Sequence, residues 1–156
     1  EREAWKIADA QQRWKLVVIN PAFIVGPGTA PQQTSATFDQ FRALSDGTFA
    51  KNMPVRDVGV VDVRDVAEAH LRGAYVEGAN GRNIVFAEVL SMSDMAAILK
   101  EAFGDDPRWH FPPDTPWNPD VPHWRADNSK SRRELGMTYR PVQPAIIDTF
   151  RQFAGL

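Results

Sequence analysis

Val58-Gly59-Val60-Val61-Asp62-Val63 runs directly into Arg64-Asp65-Val66-Ala67-Glu68-Ala69-His70, and this junction decides the fold. The first half is apolar at nearly every position, as in a strand covered on both faces of a parallel sheet. The second half turns to helical spacing, with Asp65 available to cap the new helix and Gly78 to Gly81 supplying turn chemistry at its end.

The same alternation extends outward in both directions. Upstream, Leu16-Val17-Val18-Ile19 is a second apolar strand, followed by a loop, Asn20 to Gly28, rich in proline and glycine. Thr34 or Ser35 can cap a helix whose Phe38, Phe41 and Leu44 share a face, with Gly47 placed to end it. The chain opens on Glu1-Arg2-Glu3-Ala4-Trp5-Lys6-Ile7-Ala8, a helical stretch with no initiator Met and no capping residue ahead of it, which reads as the middle of something longer.

Downstream, a short strand from Asn83 to Ala87 leads to Ser91-Met92-Ser93-Asp94, which has the form of a capping box. The helix behind it carries Met95, Ile98, Leu99 and Phe103 and ends at Gly104. Arg108 to Phe111 is a further strand candidate. Six of the 12 prolines and three of the five tryptophans fall between Pro107 and Trp124, a density that marks an ordered loop. A short helix from Asn128 to Leu135 stops at Gly136. The last helix has Pro144 in its first turn and Ile146, Ile147, Phe150 and Phe153 facing inward. Alternating strands and helices over 156 residues predict an α/β protein with a largely parallel sheet.

Composition narrows the function classes. Eighteen Lys and Arg against 20 Asp and Glu give a net charge of −2, which leaves no electrostatic footprint for nucleic acid or anionic lipid. The absence of cysteine excludes disulfides, thiolate metal sites and cysteine nucleophiles, and fits a cytoplasmic setting. The longest apolar runs are strand-sized, far short of the roughly 20 residues of a membrane span.

Most catalytic patterns are missing. Gly26-Pro27-Gly28 approaches a dinucleotide fingerprint, but Pro27 and Pro31 remove amide donors and the third glycine is absent. His70, His110 and His123 are far apart and form no metal motif; His70 reads as a helix residue facing its own sheet, the other two as loop residues. No G-x-S-x-G elbow occurs. Asp62 and Asp65 suit capping and hydrogen bonding better than acid/base work. Trp109, Phe111, Trp117 and Trp124 either line an apolar pocket or pack the long loop onto its own core.

Four segments in order carry a resemblance: Leu16 to Pro27, Val60 to His70, Gly81-Arg82-Asn83-Ile84, and Asp127-Asn128-Ser129-Lys130-Ser131-Arg132-Arg133-Glu134-Leu135-Gly136. Together they resemble the C-terminal half of an extended short-chain dehydrogenase/reductase, within the NAD-dependent epimerase/dehydratase superfamily. The pattern is most similar to the dihydroflavonol reductase, cinnamoyl-CoA reductase and aldehyde reductase branch. The resemblance implies the C-terminal part of a Rossmann-like doubly wound parallel sheet plus a small α/β substrate-binding lobe. Residues 1–27 would be the last Rossmann helix, strand and nicotinamide-side loop; 28–56 the start of the substrate lobe; 57–81 the returning Rossmann strand and helix; and 82–156 the rest of the lobe with the C-terminal helices.

It also implies NADP or NAD as cofactor, a small carbonyl substrate, and hydride transfer assisted by a Tyr-x-x-x-Lys pair. Neither Tyr75 nor Tyr139 has Lys four residues later, so no catalytic residue is expected in this chain and the fragment alone should be inactive. Asn20, Pro21, Ala22, Phe23 and Ile24 match the segment that holds the nicotinamide; Gln32, Gln33 and Phe38 are substrate-pocket candidates. No metal, nucleic acid or membrane is expected, and association through the uncovered half-sheet, as a homo-oligomer or with another chain, is. Arg56-Asp57 stands two residues too early for the sugar-nucleotide epimerase pattern, and Gly59 lacks the polar side chain of flavonoid reductases. An epimerase/dehydratase half and a non-catalytic NAD(P)-binding regulator are the alternatives.

Overall fold

The computed structural model describes residues 1–29 and 35–156. Helix α1 (Arg2–Asp9) precedes strand β1 (Val17–Pro21). Sequence pattern placed the end of that strand at Ile19, with Asn20 and Pro21 in a loop; the structure carries it through both, because they continue the pairing with β4 (Gly81–Val85). After Ala22 alone the chain enters β2 (Phe23–Val25), which belongs to a different sheet. β1 and β4 pair in parallel, with Val17 opposite Gly81 and Pro21 opposite Val85. β2 pairs in parallel with β3 (Asp57–Asp62), and β3 pairs antiparallel with β5 (Glu88–Ser91), a strand that the sequence pattern did not mark. β1 has one strand neighbour among the described residues, and all five of its residues are only half-buried although most are apolar.

α3 (Val63–Tyr75) begins one turn earlier than expected. Its cap is Asp62, whose carboxylate accepts the Arg64 N–H at 2.8 Å. Asp65 therefore falls inside the helix, buried, where it accepts the Arg140 N–H at 2.8 Å and pairs with the Arg140 guanidinium. His70 also departs from expectation: it is exposed, and its Nδ1 lies 2.8 Å from the Val66 carbonyl. That contact keeps the ring along its own helix, so it does not face the sheet.

Two apolar clusters form. The smaller joins β3, α3, β4 and the segment after α5 (Ser129–Glu134) through Val61, Val66, Ala69, Val85, Leu135 and Met137. The larger lies between β2, β3, α2 (Ala36–Ser45), α4 (Met92–Phe103) and α6 (Val142–Ala154), with Phe41, Leu44, Met95, Leu99, Ile146 and Phe150 fully enclosed. The Ser91 to Asp94 capping box forms as its spacing implies, each side chain bonding the other residue's N–H. Arg108 to Phe111 makes no strand; a single bridge, Asp46 to His110, is all the pairing it achieves. Pro112 and Pro113 follow at once, and prolines offer no N–H to extend a ladder.

Candidate functional site

The site is built where the two sheets part. Ala22 is the hinge between β1 and β2, and its N–H donates to the Val85 carbonyl at 3.0 Å, which ties the hinge to the end of β4. A crevice beyond the carboxyl ends of parallel strands is where open α/β sheets bind ligands. Asn20 and Pro21 close β1, and Phe23 and Ile24 open β2, so these five residues form one continuous turn of backbone at that end.

On the far side of β2 the chain leaves through Gly26, whose φ of 124° is a conformation that side chains resist. Its N–H donates to Thr149 Oγ1 at 2.6 Å, and Gly28 exchanges two bonds with the Gln152 amide, at 2.6 and 3.0 Å. These bonds pin the exit loop to α6. Ile24, Gly26, Gly28, Thr37, Phe38 and Val63 line a cavity of about 250 Å³ here. Phe38 is thus brought to the same cavity as Ile24, although only 6% of its surface is exposed. Gln32 and Gln33 lie outside the described residues.

Asp57, at the start of β3, is buried and collects two donors: its Oδ1 accepts the Trp124 N–H at 2.6 Å, and its Oδ2 lies 2.6 Å from His123 Nδ1. Burial raises the carboxyl's pKa, but the Trp124 and His123 bonds outweigh it and leave the group below the usual range. Asp62 behaves likewise, its burial more than offset by Arg64. His123 stacks on Trp117, ring centroids 4.3 Å apart and 13° from parallel. Both line a second cavity of about 210 Å³ with Met53, Arg56, Met92 and Pro116.

The aromatic residues of the proline-rich segment thus divide. Trp109 and Phe111 pack on Phe150 in the larger cluster, with centroids 5.1 and 5.8 Å away. Trp124 packs edge-on against Phe86 at 5.2 Å and covers Gly59. Sequence reasoning missed the Asp57 and His123 pair because 66 residues separate them and no local spacing links an aspartate to a distant histidine. No group of three or more acidic or histidine side chains placed to hold a metal occurs among the described residues. No described helix is long and apolar enough to cross a membrane.

The strand and helix order, the parallel pairs and the passage from one sheet to the other at Ala22 define a Rossmann-like α/β protein. Comparison with known proteins sharpens that class. No family model matches the chain. Tetraketide alpha-pyrone reductase 2 of Arabidopsis thaliana is 36% identical over 107 residues, covering 69% of this chain and 32% of that protein. Cinnamoyl-CoA reductase 2 of Medicago truncatula is 32% identical over 151 residues, 97% of this chain and 44% of its own length. Among solved structures, yeast methylglyoxal/isovaleraldehyde reductase Gre2 complexed with NADPH superimposes with a TM-score of 0.81 at 26% identity, over 99% of this chain and 48% of that one. The chain belongs to the extended short-chain dehydrogenase/reductase family. It spans about a third to a half of the length of these relatives.

Proposed function

We propose that this chain is the substrate-binding half of an NADPH-dependent reductase of aldehyde or ketone carbonyls, with Asn20 to Ile24 forming the nicotinamide-side loop. The observation that carries the reading is the position of Ala22. It stands at the carboxyl end of a parallel pair, where one sheet gives way to the other, the kind of position at which open α/β sheets take their ligands. The printed names of the relatives, reductases in each case and one complexed with NADPH, support the cofactor and the carbonyl substrate.

In this reading the chain's own residues bind and orient, while hydride comes from the nicotinamide and the proton from a tyrosine in the other half of the fold. The backbone from Asn20 to Ile24 holds the ring's face toward substrate. The Ile24 and Phe38 cavity receives part of the substrate, and Gln32 and Gln33 remain candidates for the same pocket. Residues 1–27 and 57–81 would serve the cofactor side, and 28–56 and 82–156 the substrate lobe. The exposed β1 edge and the side chains Ile7 and Trp14, 61% and 45% exposed, would be covered by the rest of the fold or by a second copy.

The test is NADPH oxidation with a panel of aldehydes. The full-length protein is expected to turn over and the isolated chain to show none. Cofactor oxidation by the isolated chain overturns the assignment of the proton donor to the other half. A full-length sequence without Tyr-x-x-x-Lys and a glycine-rich turn favours a non-catalytic binder instead.

A further inference from the structure

We propose that Asp57 and His123 are positioning residues that hold the Trp124 indole over Gly59 beside Ala22, so that Trp124 is the wall that limits the size of carbonyl substrate admitted; this rests on the reductase reading above. The starting observation is a glycine in the interior of a strand, where it weakens the strand unless something must come close. Gly59 sits in β3 one position before Val60, which pairs with Phe23, so it lies alongside Ala22. A Cβ placed on Gly59 would stand 2.6 and 2.7 Å from Cη2 and Cζ3 of Trp124 and 3.1 Å from the Ala22 Cβ. The indole therefore lies directly on the strand, in space that any side chain at position 59 would fill.

Three contacts fix it there. Phe86 meets the ring edge-on. Asp57, two residues before Gly59, holds the Trp124 N–H with one carboxylate oxygen and the preceding ring, His123, with the other. One buried carboxylate that grips a side chain and the next residue's backbone sets the rotation of the segment as well as its distance. Trp117 stacks on the other face of that arrangement through His123, and its Nε1 donates to the Val121 carbonyl at 3.2 Å, so the loop braces itself. The His123 side chain is 62% exposed. Its loss opens no cavity in the core, and its role is to aim Trp124.

The clamp is read on the chain itself by NMR. The ring current of an indole this close to Gly59 displaces the Gly59 α-protons and the Ala22 methyl from their ordinary positions, and Trp124→Ala returns both to them. His123→Ala is expected to remove more than half of the displacement, with His123→Gln, which keeps a donor near Asp57, recovering part of it. Full displacement in His123→Ala overturns the positioning role. Should that variant lose its dispersed spectrum, Asp57→Asn, nearly identical in shape, is read in the same way. The wall is read on the full-length protein: Trp124→Ala raises kcat/KM for a bulky aryl ketone relative to a short aldehyde by about tenfold or more, chiefly through KM. An unchanged ratio overturns the wall. A full-length protein that reduces no carbonyl refutes the reductase reading and with it the wall, whereas the clamp stands or falls on the Gly59 resonances.

Discussion

Replacing Gly26 by alanine is expected to destabilise the domain by about 2–6 kcal/mol, from two separate costs. A φ of 124° lies outside the conformations that residues with a Cβ adopt, and holding such a residue there costs about 1–3 kcal/mol. The new methyl would also stand 2.7 Å from Val63 Cγ1 and 3.3 Å from the Val63 nitrogen, so the first turn of α3 must move. Overpacking of this kind costs about 1–3 kcal/mol more. Against a total stability of about 5–15 kcal/mol, the loss is large enough to read as a shift in the urea midpoint, followed by tryptophan fluorescence. Gly78→Ala is the control: nothing lies within 4 Å of its Cβ position, and the change is expected within about 0.5 kcal/mol. A Gly26→Ala loss no larger than that of Gly78→Ala refutes the claim that the exit from β2 is confined by backbone conformation and by α3.

Three further outcomes follow from the bonds described above. Ser91→Ala, which removes one side of the capping box on α4, costs about 1 kcal/mol in the same urea assay, and Ser91→Thr restores most of it. Arg140→Ala, which leaves the buried Asp65 carboxylate without its guanidinium, costs about 1.5–3 kcal/mol; that partner is about half exposed, so the loss falls short of a fully enclosed pair. Because the folded pKa values of Asp57 and Asp62 are lowered, their contribution is complete above the ordinary carboxylate value of about 3.9 and is lost as pH falls through the folded values. Urea midpoints should therefore drop below about pH 4, and the drop should shrink when Arg64→Ala removes the Asp62 partner.

Local signals were legible and remote ones were not. The Ser91 box needs residues three apart and stands in the sequence as it stands in the structure. The α4 and α6 faces need only helical spacing, although on α6 Ile147 joins neither apolar cluster while Val142, Ala145 and Thr149, which the pattern did not mark, are buried. The end of β1 was hidden because Asn20 and Pro21 are residues of turns, and only the facing β4 keeps them extended. Asp65 looked like a cap because it begins a helical pattern. The true cap, Asp62, closes a strand, and its choice depends on Arg64 folding back onto it. At the candidate site, Phe38 stood out only through the resemblance, its helix face marking it as a core residue, whereas Trp124 over Gly59 depends on chain segments 65 residues apart, and Gly59 alone gave only an absence to interpret.

The free side of β1 carries a further consequence. In a parallel pair, alternate residues turn both backbone groups to the same neighbour. The Leu16 carbonyl accepts from Gly81 and the Ala22 N–H donates to Val85, so the even-numbered positions are committed to β4. Val17, Ile19 and Pro21 therefore address the vacant side, and Pro21 has no hydrogen to offer. A chain docking there finds two donors and then a dead end one residue short of Ala22. Proline thus acts as a stop for strand addition, limiting how far any incoming ladder can zip before it reaches the hinge that the proposed cofactor loop depends on.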